Sequence, residues 1–274
     1  MAQVPTTSPA FIDQLTSARA YDLGTRYEMG MPVHPAHPPY VFTLQRRHGD
    51  TFRPGNYSSS NELIVMCGHT GTHIDSLAHV SENGDLFSGI DAADNQQGGL
   101  GMKQHGVETI APVVRRGVLL DVAGAEGVDI LPPDFAINAE TIQSVANSQG
   151  LEIRGGDCVL VRTGWMQHVD DAVAYLDAAR GQPGVNADGG EWLAEQGIFL
   201  GGSDTAAFEQ VVPDAGMPVH LIFLARNGIH ILEMANLEAL AADKVYEFGF
   251  VLSPLKLVGA TGSPVRPIAL AQQR

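Results

Sequence analysis

Between His69 and His79 the chain reads HTGTHIDSLAH, which places three histidines and one aspartate within eleven residues. His69, His73 and Asp75 share the same parity, so an extended backbone would project all three side chains from one face. The threonines and isoleucine of the stretch, and the apolar run Leu63 to Met66 before it, predict that extended conformation. Two imidazole nitrogens and one carboxylate oxygen form a borderline-soft donor set suited to zinc, manganese or iron(II), and three protein ligands leave a position for a reactive water. Such a site keeps a divalent ion strongly Lewis-acidic, and zinc can bring the pKa of bound water to about 7. The pattern therefore points to a metal-dependent hydrolase. Gly71 would let the backbone approach the ion or turn sharply beneath it, and Thr72 is a candidate donor to a ligand. Asp75 and Ser76 predict a helix entry, which puts His79 one turn later and outside the metal's ligands. An imidazole there, with an ordinary pKa of about 6.5, could move a proton between water and a leaving group. The isolated His105, His168 and His230 read as structural or solvated.

The rest of the chain must hold that cluster in place. Its 274 residues suit one domain with a single core, and 44% hydrophobic content can fill it. The charge balance, 16 basic against 31 acidic residues for a net −15, disfavours nucleic acid and anionic membranes and favours a small-molecule substrate. Cys67 and Cys158 lie in separate apolar runs without zinc-ribbon or redox spacing and read as packed free thiols. No secretory leader pattern opens the sequence and nowhere do eighteen apolar residues run together, so a cytoplasmic location is expected.

Pro9 after Ser8 predicts a capped helix start, with Phe11, Leu15 and Ala18 on one side of a short arm spanning residues 1–20. The proline-rich segment from Asp22 to Pro39 reads as an extended loop of the kind that carries function. Val118–Val122, Val159–Arg162, Ile198–Leu200, Ile229–Leu232 and Val245–Leu252 read as buried strands. Two helices fall among them, one capped by Asn138 and ending at Gly150, the other capped by Asp188 and ending at Gly197. Thr261 to Pro264 reads as a turn before a last strand. The alternation indicates an α/β fold with a mixed sheet. A Gly/Gln-rich stretch, DNQQGGLGMKQHG at 94–106, predicts a mobile insertion that serves as a lid or an oligomer contact.

At this point HTGTHIDSLAH resembles the signature of the cyclase-like metal hydrolases, the superfamily of bacterial kynurenine formamidase and isatin hydrolase. The family pattern, H-x-G-T-H-x-D-x-P-x-H, is met at His69, Gly71, Thr72, His73, Asp75 and His79, with Leu77 in place of proline. DLGTRYEMGMPVHP looks like the family's opening strand and substrate loop, VLVRTGW at Val159–Trp165 like its central strand, and GGSDTAAFE at Gly201–Glu209 like its later turn. The resemblance implies one domain over 1–274, with a mixed, partly barrel-like sheet flanked by helices, the swivelling β/β/α type. It implies that His69, His73 and Asp75 bind the first metal and that His79 is the acid/base. It also implies, through PVHLIFLARNGIHILE, that His220 and Glu233 are distal metal ligands. The residues agree with that last point, since Asn227 and Gly228 can end a helix begun near His220 and Ile229–Leu232 can form a strand delivering Glu233. One or two ions, Mn2+ or Zn2+, would then bind.

Short formamidases of this family place a tryptophan in the substrate loop, and the matching position here looks like His34. The aromatic platform for an aniline ring is missing. The implied activity is therefore attack by activated hydroxide on a small cyclic amide, imide or N-acyl substrate, closer to isatin hydrolase than to kynurenine formamidase. His34 is the candidate substrate contact, with a solvated loop containing His34 and His37 as the alternative. A lactone or enol-ester hydrolase with the same site, and a non-catalytic metal-binding or assembly protein, are the competing readings. The loop-rich N-terminus favours a homodimer or homotetramer.

Overall fold

In the computed structural model, which describes residues 8–177 and 179–272, the apolar runs form one nine-stranded sheet. Numbered along the chain, its strands are β1 (Arg19–Asp22), β2 (His73–Asp75), β3 (Val113–Asp121), β4 (Cys158–Arg162), β5 (Leu200–Ser203), β6 (His230–Glu233), β7 (Glu247–Leu252), β8 (Gly262–Pro264) and β9 (Ile268–Ala271). They lie in the order β1-β9-β7-β3-β4-β5-β6-β2-β8. The central β3, β4, β5 and β6 run parallel, and the strands to either side add antiparallel, so the sheet is mixed as expected and curls into a half-barrel.

Burial on both faces explains why the central strands read as unbroken hydrophobic runs. Val118, Leu120, Val159, Val161 and Ile231 feed the core on one face. Leu119, Cys158, Leu160, Leu200 and Leu232 feed the core on the other. The helices Ala139–Ser148 and Ala187–Glu195 cover the first face through Ile142, Val145 and Leu193. Asn138 caps the first of them as expected, accepting from the Thr141 N–H. The second is capped by Asn186 and not by Asp188, whose carboxylate instead accepts from Ala139 N at the start of the neighbouring helix.

Three further expectations change. β5 begins at Leu200 and runs through Gly201 and Gly202, past the predicted end, because Phe223 and Phe208 pack directly against the Gly201 backbone. Residues 262–264, read as part of a turn, pair with β2 as β8. Ser76–His79 forms a single turn closed by His79 N donating to Ser76 O, and no helix follows Asp75.

The N-terminal helix spans Pro9–Ser17 and buries none of its side chains, while residues 1–7 of the expected arm lie outside the described residues. Leu63 to Val65 are extended but not buried. They belong to Asn61–Val65, which pairs with Val41–Arg46 in a separate two-stranded hairpin exposed along both strands. The 94–106 segment is tied down by backbone bonds from Met102 to Gly259 and from Lys103 to Asn95, and by the buried Asn95 side chain bridging to Gln104. Among the described residues no helix is long and apolar enough to cross a membrane.

Candidate active site

β2 supplies the centre of the site. Its pleat turns His73 and Asp75 to one face and Ile74 into the core on the other, as the parity argument requires. Its neighbours complete the arrangement. Glu233 stands directly across from His73 on β6, so their side chains meet on the same face, and the Glu233 Oε2 to His73 Nε2 distance is 3.2 Å. Across from Asp75 on β8 stands Gly262, and any Cβ there would collide with the His69 ring at 2.5 Å.

His69 reaches the cluster by a different route from the one its parity suggests. The backbone between His69 and His73 is a turn, with Gly71 in the left-handed region at a φ of +59°. A side chain at Gly71 would meet the Tyr27 ring at 2.8 Å. Tyr27 clamps the turn, its hydroxyl lying 3.0 Å from Thr70 O and 2.8 Å from Thr72 O. Thr72 donates to Met234 O and accepts from Thr25 N, so it anchors the motif to the end of β6 and to the 22–39 loop and does not touch a ligand. The turn brings His69 Nδ1 to 2.7 Å from Asp75 Oδ1, with Nε2 held 3.0 Å from Thr261 Oγ1. His73 offers Nε2 to the centre while its Nδ1 sits 2.8 Å from Gly71 O.

The distal side is built from the segment after β5. Pro218 opens a helical stretch that continues as a wide turn over Leu221–Asn227, and Gly228 closes it in the left-handed conformation before β6. His220 Nε2 thereby points inward, 3.3 Å from Glu233 Oε1 and 3.7 Å from Asp75 Oδ2. His79 stacks on His69 with ring centres 4.1 Å apart and lies 6.1 Å from His220.

The electrostatics of this arrangement call for a cation. Asp75 is fully buried, and neither carboxylate oxygen has a hydrogen-bond partner, because the nearby ring nitrogens approach without the alignment of a hydrogen bond. Burial opposes its ionisation, yet His79, His69 and His73 hold its carboxyl well below the ordinary range. Glu233, buried and repelled by Asp75, is drawn down to about 2 by His220 and His73. In the same field His73 rises to about 9 and His220 to about 10, burial being outweighed by the carboxylates beside them. Burial and the neighbouring His69 and His220 push His79 the other way, to about 4 despite Asp75, so its ring is neutral near pH 7. Ligand atoms of His69, His73 and Asp75, and separately of Asp75, His79 and His220, lie within 4.8 Å of one another. Orphaned carboxylate oxygens facing imidazole nitrogens are the donor set of a zinc, manganese or iron(II) site. The residues present fit one or two such ions.

The structure thus brings His69, His73, Asp75, His79, His220 and Glu233 together. It does not bring in His34, which is exposed and packs on His37 at 5.2 Å. His37 is the loop histidine that leans over the cluster, 5.8 Å from His69, with Nδ1 shielded and unpartnered. The histidines read as structural are so: His230 contacts Asp75 O through Nδ1, His105 contacts Phe87 O through Nε2, and His168 packs on Trp165. A cavity of about 260 Å³ adjoins His69, walled by Cys67, Gln96, Met102 and the backbone from Gly259 to Gly262, so the 94–106 segment borders the site. Sequence reasoning assigned no role to Glu209, Thr261 or Gly262. Glu209 stood inside the stretch GGSDTAAFE with no periodic neighbour to mark it.

A family model described as a putative cyclase matches residues 21–210. Isatin hydrolase of Roseibium aggregatum is 29% identical over 214 residues, covering 76% of this chain and 73% of that protein. Kynurenine formamidase of Bacillus cereus is 26% identical over 205 residues, covering 75% of this chain and 77% of its own. The crystal structure of a novel cyclase superposes with a TM-score of 0.84 at 25% identity, covering 96% of this chain and 92% of the other. Together with the cation-demanding cluster on β2 and β6, these matches show that the chain belongs to the cyclase family of metal-dependent hydrolases.

Proposed function

We propose that this protein opens a small cyclic amide or imide of the isatin type. The observation that carries the reading is Asp75, whose two buried oxygens lack hydrogen-bond partners and are surrounded by imidazoles. When bound, a divalent ion, Mn2+ or Zn2+, supplies a Lewis acid for the substrate carbonyl and lowers the pKa of water. His69, His73 and Asp75 hold it, and His220 and Glu233 extend the donor set to a second ion. His79 is neutral at working pH, so its ring can take a proton from water and return it to the leaving nitrogen.

The substrate class follows from the wall of the site. No tryptophan or phenylalanine stands in the loop over the cluster. His37 leans there instead, and its ring gives the site a polar wall suited to a polar substituent, such as the second carbonyl of a cyclic dicarbonyl. His34 backs that ring and contributes to substrate binding through it. The chain is tested by loading it with Mn2+ or Zn2+ and following acid release from isatin, N-formylkynurenine, a cyclic imide and a lactone. Ring opening of isatin or the imide with the highest kcat/KM supports the reading; preference for the formamide or the lactone overturns it.

The same reading includes assembly and setting. Phe42, Leu44, Leu63, Ile64 and Val65 are each 40–53% exposed on the isolated hairpin, and a two-stranded hairpin is marginal in water without cover. A second copy of the chain, in a homodimer or homotetramer, supplies that cover. Free thiols at Cys67 and Cys158 are in keeping with a reducing, cytoplasmic compartment.

A further inference from the structure

Glu209 is among the most buried carboxylates of the molecule, 1% exposed, and it is not part of the metal-facing cluster. Its Oε2 accepts from Val219 N at 2.9 Å. Its Oε1 accepts from His220 N at 2.9 Å and lies 2.6 Å from His220 Nδ1. Its own backbone is fixed by a bridge to Val185, packed so closely on Gly184 that a Cβ there would meet Glu209 C at 2.4 Å. A carboxylate flanked by two N–H donors can only accept. Whenever His220 carries a single proton, as a metal-ligating imidazole must, that proton is therefore on Nδ1, and Nε2 presents its lone pair on the side of Asp75 and Glu233.

We propose that Glu209 is the positioning residue for the distal metal, locking the His220 ring in the Nε2-ligating tautomer and closing the 210–217 loop around it. This rests on the reading of His220 as a metal ligand. Carboxylates behind metal-binding histidines commonly orient the ring and raise its basicity. The geometry here adds a stricter demand. An amide at position 209 has one oxygen for three N–H groups on two separate atoms. Placed at the Oε2 position, its NH2 faces Val219 N–H. Placed at the Oε1 position, it faces His220 N–H and favours the wrong tautomer. Glutamine is isosteric at this position but cannot replace the carboxylate.

The test titrates metal-stripped wild type and Glu209→Gln with Mn2+ and with Zn2+ by calorimetry, and records ring 15N shifts of the histidines in the zinc-loaded proteins. Expected are two binding events in wild type, with the weaker reduced by roughly 10–100-fold in E209Q while the tighter is unchanged. The Nδ1–H signature of one buried histidine should also be lost. Should E209Q not fold, Glu209→Asp, which keeps the charge but shortens the reach, is titrated instead, with the same selective loss expected. Two unchanged affinities, or an equal loss at both sites, would overturn the inference. A wild type that binds one ion, unaffected by His220→Ala, would overturn the ligand reading itself, and the inference with it.

Discussion

Two buried clusters of charge lie on this sheet, and they are built on opposite principles. At the end of β4, Arg162 reaches Asp121 with Nη1 at 2.8 Å and grips both oxygens of Glu238 at 2.8 and 2.9 Å. Its second Nη donates to Asp129 O, so the guanidinium and its acids satisfy one another. The centre around Asp75 has no such counter-ion. Its carboxylates are contacted by imidazoles, and the most buried of them keeps two oxygens without hydrogen bonds. A buried charge is tolerated when it is paired and hydrogen-bonded, and is costly otherwise. The Arg162 cluster meets that condition from within the chain, whereas the Asp75 cluster meets it only when protons or a cation arrive from solution. That contrast separates a structural ion network from a site.

The difference can be attacked from either side. The largest effect is expected from His79→Ala, which should lower kcat by about 10²- to 10⁴-fold while metal content, read by elemental analysis, stays that of wild type. Loss of metal together with activity would place His79 among the ligands, as its distance to Asp75 and His220 also permits. Arg162→Ala should produce the converse. Stability should fall by about 3–5 kcal/mol in denaturant titrations, because Asp121 and Glu238 lose their partner, with metal affinity unchanged.

A subtler distinction concerns protons. His73 and His220 are raised to about 9 and about 10 from an ordinary 6.5, so protonated rings stabilise the metal-free fold. That contribution is complete below about 6.5 and is lost as pH rises through the folded-state values. A bound cation must expel the same protons. The metal-free protein should therefore melt at falling temperature as pH climbs through about 9 and about 10, while the metal-loaded protein does not, and apparent metal affinity should rise over that range. Parallel melting curves would mean that no cation replaces those protons. The smallest effect on the site itself is expected from Ile64→Lys on the hairpin. It should convert the proposed homodimer or homotetramer to monomers in light scattering and leave metal binding intact.

How much of this could be read from the residues depends on whether their contacts are local. His73 and Asp75 were legible because a strand's pleat is a two-residue rule, whereas Glu233 was reached through the family resemblance, with which the glycine-terminated helix leading into β6 agrees. His69 joins the cluster, but not by the parity argument, since Gly71 breaks the strand and a turn does the work of alternation. Ile64 and Val65 were read as part of the approach to the motif. Their exposure follows from which strand they pair with, and hydrophobicity alone does not specify that. Glu209 was out of reach because its bond to His220 spans eleven residues and depends on the bridge to Val185. His37 and His34 differ only in how the proline-rich loop folds over the cluster, which no periodicity encodes.

The central claim is that the buried Asp75 carboxylate is a cation ligand. Its most direct measurement is calorimetric titration of metal-stripped wild type and Asp75→Asn with Mn2+ or Zn2+ under identical conditions. The account predicts tight binding by wild type and its loss, by at least about 100-fold, when one ligand oxygen becomes an amide. Equal binding by the two proteins, or none by either, would contradict it.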